Sequence, residues 1–229
     1  MAKHIGIVGS SYEGAALCYR TICSEAMRKL GDYTHPEISL HNLSLSDYMN
    51  RIWQDDWDGV GQLLLASARK VATAGAEFVV CPCNTLHEGL PAIRNTSPIP
   101  WLHIGDVVAR EALDAAYKKV GVLGTSYLMK SQVYRQALGE VGVECVTPDQ
   151  ADGDRVDRVI MVELVDGTIT DDARRTVLGV IERLAGRGCD AVALACTELP
   201  LLVRPGESVL PALDSTRLLA RAAVAASFA

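Results

Sequence analysis

Two stretches of the chain share one layout: Gly75-Ala76-Glu77-Phe78-Val79-Val80-Cys81-Pro82-Cys83-Asn84-Thr85 and Gly188-Cys189-Asp190-Ala191-Val192-Ala193-Leu194-Ala195-Cys196-Thr197-Glu198. In each, a glycine precedes a short apolar run that ends at a cysteine followed by polar residues. An apolar run of this length between turn signals is typical of a buried strand. Cys83 and Cys196 occupy matching places, so the sequence predicts two equivalent strands that each end at a thiol.

The repeat extends to the start of the chain, where Gly6-Ile7-Val8-Gly9-Ser10-Ser11-Tyr12 is echoed by Gly121-Val122-Leu123-Gly124-Thr125-Ser126-Tyr127. Strand-like runs alternate with segments of helical periodicity, which is typical of a parallel sheet covered by helices. We therefore predict an α/β fold of two pseudo-symmetric lobes, each a parallel sheet flanked by helices, with the active site in the cleft between them. Residues 1–103 and 209–229 are assigned to lobe 1, which carries Cys83, and residues 104–208 to lobe 2, which carries Cys196.

Three further segments receive specific predictions. Residues 43–57 are rich in polar side chains and predict a long loop suited to a lid. Residues 128–141 predict a single helix, and residues 91–100 predict a turn-rich connection.

The composition is that of a globular protein. Of 229 residues, 49% are hydrophobic, and the formal net charge is -6. Basic residues are scattered, so we expect no binding to nucleic acid or to an anionic membrane surface. No apolar run approaches the roughly 20 residues of a membrane span, and the first residues lead directly into a strand, so we expect a cytoplasmic protein.

The seven cysteines are an odd number without a C-x-x-C spacing, in a chain large enough to fold without disulfides. We expect reduced thiols. Cys18, Cys23, Cys81 and Cys145 are interpreted as packing residues.

In open parallel sheets, ligands bind beyond the carboxyl ends of the strands, where loops and helix N-termini present backbone N–H groups. The two cysteine stretches and the two Gly-Ser and Gly-Thr turns all follow predicted strands at that edge. If the two lobes face each other, one thiol lies on each side of a small ligand. Such an arrangement suits the handling of a proton on either face of one carbon.

Several short motifs follow one another along essentially the full chain: Gly6-Ile7-Val8-Gly9, Cys83-Asn84-Thr85, Val122-Leu123-Gly124-Thr125 with Met129 and Tyr134, Glu163-Leu164 with Gly167, Cys196-Thr197-Glu198, and Asp214-Ser215-Thr216. Together they resemble the aspartate/glutamate racemase superfamily, in its aspartate racemase branch. Each motif is common by itself, whereas their order and spacing are specific. Gly9-Ser10-Ser11 departs from the Gly-Gly-Met that is frequent in that branch, which implies a more polar pocket floor.

The resemblance implies an isomerase that racemises aspartate or glutamate with two cysteines as paired base and acid. One thiolate removes the α-proton, and the other thiol protonates the opposite face. A free cysteine has a pKa of about 8.5, so the surroundings must favour one thiolate, a role that suits the helix N-termini after Cys83 and Cys196. Glu198 is a third catalytic candidate, as a residue that orients Cys196 or transfers protons. Its alternative role is a carboxylate favoured by a helix N-terminus.

The substrate carboxylates must also be held by fixed donors. The predicted substrate-binding residues are Ser10, Ser11, Arg51, Asn84, Thr85, Thr125 and Thr197. The serines and threonines have helix capping as their alternative role. Arg51 is the candidate cation for the side-chain carboxylate, with a solvated surface arginine as the alternative, and His87 is interpreted as stabilising the turn after Cys83. The family also implies a homodimer.

Other functions stay open. Hydantoin racemases and maleate isomerases of the superfamily also pair two cysteines, and a non-enzymatic, two-lobed binder of small ligands would not need both. Cys81, Cys83, His87 and Cys196 are zinc-ligand types, but no second ligand accompanies Cys196. No phosphate-binding glycine loop accompanies a site lysine, so we expect neither pyridoxal phosphate nor another organic cofactor, and no required metal.

Overall fold

A computed structural model describes residues 2–204 and 206–229. The chain divides into two compact units. Residues 2–104 and 216–229 belong to the first unit, and residues 105–204 and 206–215 belong to the second.

Strands and helices alternate along the chain. The strands are β1 (Ile5–Gly9), β2 (Ile38–Asn42), β3 (Phe78–Val80), β4 (Trp101–Leu102), β5 (Lys119–Leu123), β6 (Glu144–Val146), β7 (Ala191–Leu194) and β8 (Ala212–Asp214). The α-helices are α1 (Tyr12–Leu30), α2 (Leu45–Ile52), α3 (Trp57–Thr73), α4 (Ile104–Asp114), α5 (Ser126–Lys130), α6 (Val133–Glu140), α7 (Gln150–Arg158), α8 (Asp171–Gly186), α9 (Leu199–Leu202) and α10 (Ser215–Ser227). A 3-10 helix (Thr85–Ile93) follows β3, and a π-helix (Val159–Leu164) continues α7.

Within the described residues, the strands form two four-stranded sheets in which every pair is parallel. Their strand orders are β2-β1-β3-β4 and β6-β5-β7-β8. Parallel strands need crossover connections, and helices supply them in both units. The predicted α/β fold, with two parallel sheets flanked by helices, is therefore confirmed.

The two sheets have the same register in their central strand pairs. Ile7 pairs with Val80 in the first sheet, and Val122 pairs with Ala193 at the matching position in the second. In each unit the predicted catalytic cysteine is the third residue after this pair. The sequence repeat therefore corresponds to an equivalent backbone position in each unit.

A glycine in each central strand lets a helix pack closely against the sheet. A Cβ on Gly6 would lie 2.8 Å from Val71 Cγ2, and one on Gly121 would lie 2.8 Å from Leu184 Cδ1. Both distances are shorter than a carbon–carbon contact. Val71 belongs to α3 and Leu184 to α8, which directly precede β3 and β7, so this packing positions the strands that lead to the cysteines.

The segment predicted as a lid loop contains a helix. Within residues 43–57, α2 buries Tyr48, Met49 and Ile52, three apolar positions on one helical face. Burial of these side chains, each worth about 1.5–3 kcal/mol, outweighs the polar composition of the rest of the segment.

Three other predictions are corrected. Residues 128–141 form parts of two helices, α5 and α6, because Ser131 between them has extended backbone. Residues 91–100 begin inside the 3-10 helix. Residues 209–215 lie in the second unit rather than the first, because β8 pairs with β7.

The helices of both units bury one apolar face each. In α3 this face contains Val60, Leu64, Ala68 and Val71. Among the described residues, no helix is both long enough and apolar enough to span a membrane.

Candidate active site

Cys83 lies in the loop between β3 and the 3-10 helix. Residue Cys83 is partly exposed, whereas Cys81 is completely buried. The Cys81 thiol donates to the backbone oxygen of Cys83 at 3.8 Å, and burial, reinforced by the nearby Cys83 thiol, raises the pKa of Cys81 well above its usual value. Cys81 therefore stays protonated and supports the loop, which leaves Cys83 as the accessible thiol.

Two buried polar side chains hold the backbone around Cys83. His87 Nε2 donates to the Cys81 carbonyl at 2.9 Å, and its Nδ1 accepts from the Ile104 amide at 3.4 Å. These partners assign the neutral tautomer with the proton on Nε2. Asn84 is also buried, and its amide nitrogen donates to the Pro82 carbonyl at 3.5 Å. The imidazole thus stabilises the turn that presents Cys83.

The serines after β1 lie in different environments. Ser10 is buried, and its hydroxyl has no hydrogen-bond partner among the described residues. Ser11 is the N-cap of α1, because its hydroxyl accepts from the Gly14 amide at 3.2 Å. Thr85, half-buried, is the first residue of the 3-10 helix. Of the two serines, Ser10 is therefore the one whose hydroxyl makes no hydrogen bond within the described residues.

Arg51 lies in the last turn of α2 and is exposed. Its Nη1 donates to Asp56 Oδ2 at 3.0 Å. Asp56 is also the N-cap of α3, where its other oxygen accepts from the Gly59 amide at 2.8 Å. The arginine is therefore part of a surface ion pair, and a substrate carboxylate would have to compete with Asp56 for it.

In the second unit, Cys196 follows β7 and its thiol faces a carboxylate. Cys196 Sγ donates to Glu198 Oε2 at 3.0 Å, and the Thr197 hydroxyl donates to the same oxygen at 2.5 Å. Glu198 and Thr197 are both buried. The carboxylate thus orients the Cys196 thiol, and the Thr197 hydroxyl is engaged in holding that carboxylate.

Thr125 is the N-cap of α5, where its hydroxyl accepts from the Leu128 amide at 3.3 Å. The adjoining amide of Ser126 donates to Asp157 Oδ1 at 2.7 Å. Asp157 was not singled out from the sequence. Asp157 belongs to α7, and its carboxylate already occupies the Ser126 amide at the start of α5.

The family model described as Asp/Glu/Hydantoin racemase matches residues 5–223. The chain belongs to this racemase family. It is 24% identical over 205 residues to the broad specificity amino-acid racemase RacX of Bacillus subtilis (strain 168), covering 88% of this chain and 86% of RacX. It is 28% identical over 207 residues to a glutamate racemase of Staphylococcus aureus (strain JH9), covering 90% and 73% of the two chains.

Solved structures agree with this assignment. A candidate Asp/Glu racemase from Yersinia pestis is 32% identical, with a TM-score of 0.90 over 99% of this chain and 100% of that one. An aspartate racemase homologue from Pyrococcus horikoshii OT3 is 26% identical, with a TM-score of 0.85 over the full length of both chains. Membership of the family supports amino-acid racemase activity, and hence an isomerase.

Across residues 2–204 and 206–229, no group of three or more His, Cys, Asp or Glu side chains is arranged to hold a metal ion.

The burial of Tyr48 in α2 is not predicted from the sequence. The side chain is completely buried, and burial is the main cause of its raised pKa, which the Cys81 thiol raises further. The spacing of Tyr48, Met49 and Ile52 is helical and was a usable signal for both the helix and its buried face.

Proposed function

We propose that the protein is a cofactor-independent racemase of an acidic amino acid, aspartate or glutamate, in which Cys83 and Cys196 are the paired base and acid. The supporting observation is that two parallel sheets with the same register each lead to a partly exposed cysteine at the equivalent position. A two-base exchange requires two proton carriers, and the duplicated fold supplies one in each unit.

The reaction transfers protons without any redox step. Cys83 as a thiolate takes the α-proton and becomes a thiol, and the bond electrons remain on the α-carbon next to its carboxylate. Cys196 as a thiol then gives its proton to the opposite face and becomes a thiolate. In the reverse reaction, Cys196 begins as the thiolate and Cys83 as the thiol. The bond from Cys196 to Glu198 supports this starting assignment, because a thiol must be protonated to donate.

The substrate carboxylates are held in this proposal by hydroxyl, amide and guanidinium donors. The α-carboxylate is assigned to the polar residues at the strand ends: Ser10, Ser11, Asn84, Thr85, Thr125 and Thr197. The buried, unpartnered hydroxyl of Ser10 supports this assignment most directly, whereas Ser11, Thr125 and Thr197 already bond within the protein. Arg51 takes the side-chain carboxylate after exchange with Asp56.

Isotope exchange tests the proposal. Purified protein is incubated in deuterated water with each enantiomer of aspartate and glutamate, and with a hydantoin and maleate as the alternative substrates. We expect α-deuterium in at least one acidic amino acid, measured by mass spectrometry, together with loss of its optical activity. Exchange confined to the hydantoin, isomerisation of maleate alone, or no reaction with any acidic amino acid would reject the assignment.

We also propose that the protein is a homodimer whose interface includes the outer face of α1. Tyr12, Tyr19, Met27 and Leu30 lie at helical spacing on this face and are 67%, 42%, 37% and 40% exposed. The first turn of α1 is acidic and its last turn is basic. An antiparallel pair of α1 helices around a twofold axis therefore places apolar against apolar and acidic against basic residues.

Sedimentation equilibrium checks this interface. Met27→Glu is expected to convert a dimer to a monomer, while the exposed Val209→Glu in the second unit is the matched control. A wild-type monomer, or a Met27→Glu variant that stays dimeric, would contradict it.

A further inference from the structure

The chain passes from one unit to the other at two places. Ile104 is the last residue of the first unit before the chain enters the second, and Ser215 is the last residue of the second unit before the chain returns. We call residues 104–105 the first connection and residues 215–216 the second connection. Each begins a helix, α4 or α10, that follows the edge strand of a sheet.

The first connection is hydrogen-bonded to the Cys83 loop through a buried imidazole. The Ile104 amide donates to His87 Nδ1 at 3.4 Å, and His87 Nε2 donates to the Cys81 carbonyl at 2.9 Å. The His87 ring also meets the ring of His103, directly before the connection, at right angles with 4.6 Å between the centroids. The imidazole thus ties the connection to the carbonyl group that lies two residues before Cys83.

The second connection makes the corresponding bond directly. Ser215 is completely buried, and its hydroxyl donates to the Leu194 carbonyl at 2.9 Å. Leu194 lies two residues before Cys196. Leu194 and Cys81 occupy equivalent backbone positions, because each is the next residue after the matching central strand pair of its sheet.

Unrelated side chains thus reach the same backbone position in the two units. In the first unit an imidazole from the 3-10 helix spans the distance, whereas in the second unit a serine hydroxyl of the connection itself is long enough. The shared feature is the carbonyl that is bound and not the local packing around it. Its place matters because misplacing a reacting group by about 1 Å can cost about 10²-fold in rate.

We propose that His87 and Ser215 are positioning residues, which tie the two connections to the backbone before Cys83 and Cys196 and so fix where both sulfurs are held. The inference rests on the proposed use of the two cysteines as base and acid, and it adds the groups that hold them in place. Neither residue exchanges a proton with the substrate.

Alkylation of each cysteine tests the second connection without any substrate. Iodoacetamide labelling is followed by mass spectrometry of the Cys83 and Cys196 peptides. Ser215→Ala is expected to make Cys196 react about fivefold faster, the factor that corresponds to one hydrogen bond, because a loop without its tie exposes the thiol more often. Cys83 should keep its rate. With an active wild type, kcat should fall about tenfold or more while KM stays unchanged, and Ser215→Thr, which keeps the hydroxyl, should restore both measurements.

Ser227→Ala is the matched control for the serine variant. Ser227 is a buried serine of the same helix, and its hydroxyl donates to the Val224 carbonyl at 2.8 Å, inside that helix. It should leave the labelling rates of Cys83 and Cys196 unchanged. An unchanged Cys196 rate in Ser215→Ala would overturn the inference for the second connection.

His87→Gln separates the tie to the connection from support of the turn. A glutamine amide can still donate to the Cys81 carbonyl, but it has no acceptor at the place of Nδ1 for the Ile104 amide. We expect Cys83 to react about fivefold faster and Cys196 to keep its rate. An unchanged Cys83 rate would mean that His87 only stabilises the turn, and it would overturn the inference for the first connection.

The completely buried Cys18 reports general loosening of the fold in the same samples. Equal acceleration at Cys18, Cys83 and Cys196 in either variant would overturn the inference, because a positioning residue acts on one cysteine. If Ser215→Ala does not fold, His87→Gln decides. Since labelling needs no turnover, absence of deuterium exchange in the wild type rejects the proposed function separately.

Discussion

At Cys196 the thiol donates to a buried carboxylate, whereas the loop that carries Cys83 is held by the buried side chains of Asn84 and His87 and by the Cys81 thiol. The backbone positions of the two cysteines are nevertheless equivalent, because both sheets have the same register. The duplicated fold thus fixes where the two sulfurs are presented, and the residues after each strand decide the chemistry. A carboxylate neighbour such as Glu198 disfavours a thiolate at Cys196.

This inequality has a consequence for a racemase. The two enantiomers of an amino acid have equal free energy, so a racemase must work in both directions with its cysteines in exchanged protonation states. Because Cys83 and Cys196 have different surroundings, one of these two protonation states is the more stable one in the absence of substrate. The comparison therefore predicts that the two cysteines respond differently to the same substitution.

Replacing either cysteine by serine should have the largest effect. We expect Cys83→Ser and Cys196→Ser each to reduce racemisation by about 10²-fold to 10⁴-fold or more, because each loses one of the two proposed proton carriers. Each variant should still exchange the α-proton of one enantiomer, and the two variants should differ in which enantiomer that is. Deuterium uptake from separate L and D substrates measures this.

Cys145→Ser is the matched control for those variants, since Cys145 lies in β6 and not at the end of a central strand. It should retain racemisation. Full racemisation by Cys83→Ser or Cys196→Ser, or a shared preference for one enantiomer, would contradict the two-thiol mechanism.

A smaller effect is expected for Glu198→Gln, which removes the negative charge beside Cys196 and keeps an oxygen acceptor. Loss of the like charge should ease ionisation of Cys196, so its alkylation at neutral pH should become up to about tenfold faster. Racemisation should fall, because the proton donor is less firmly held as a thiol. The alkylation rate of Cys83 should not change.

Glu144→Gln controls for a change in total charge, because Glu144 is an exposed residue of β6 in the same unit. Peptide-level mass spectrometry follows both cysteines in one sample. Equal acceleration at Cys83 and Cys196 would show that Glu198 acts as a remote charge and not through its bond to Cys196.

The sequence was sufficient for the parts of the molecule that repeat. The paired apolar runs predicted parallel strands in both units, and the match between Cys83 and Cys196 corresponds to one register in both sheets. The family resemblance was confirmed, because the family model covers residues 5–223. These features depend on local patterns of apolar residues, which a sequence displays directly.

The rest depended on tertiary packing. The polar residues of α2 outnumber the three that it buries, so its sequence predicts a loop instead of a helix. The short strand β8 does not reveal its partner, so the sequence places it in the wrong unit. Helix capping by Ser11 and Thr125 matched the alternative role that the sequence left open. The ion pair of Arg51 with Asp56 joins residues that only the turn between α2 and α3 brings together.

The smallest expected effect concerns stability, and it distinguishes the proposed catalytic cysteines from a packing cysteine. Burial raises the pKa of Cys18 to about 12, whereas an unfolded cysteine ionises at about 8.5. Below pH 8.5 both states keep the proton, so Cys18 adds no pH dependence. Between about pH 8.5 and 12 only the unfolded state loses it, and the free energy of unfolding falls by up to about 1.4 kcal/mol per pH unit. Cys18→Ala should therefore flatten the decline of the urea midpoint between pH 9 and 10.5. The midpoint of each protein is compared with its own value at pH 7, which corrects for the cavity that the substitution leaves.

Cys23→Ala on the same helix is the matched control, because this thiol is only half-buried. It should flatten the decline less than Cys18→Ala does. Equal slopes in the wild type and both variants would contradict the assignment of Cys18 as a buried, permanently protonated thiol.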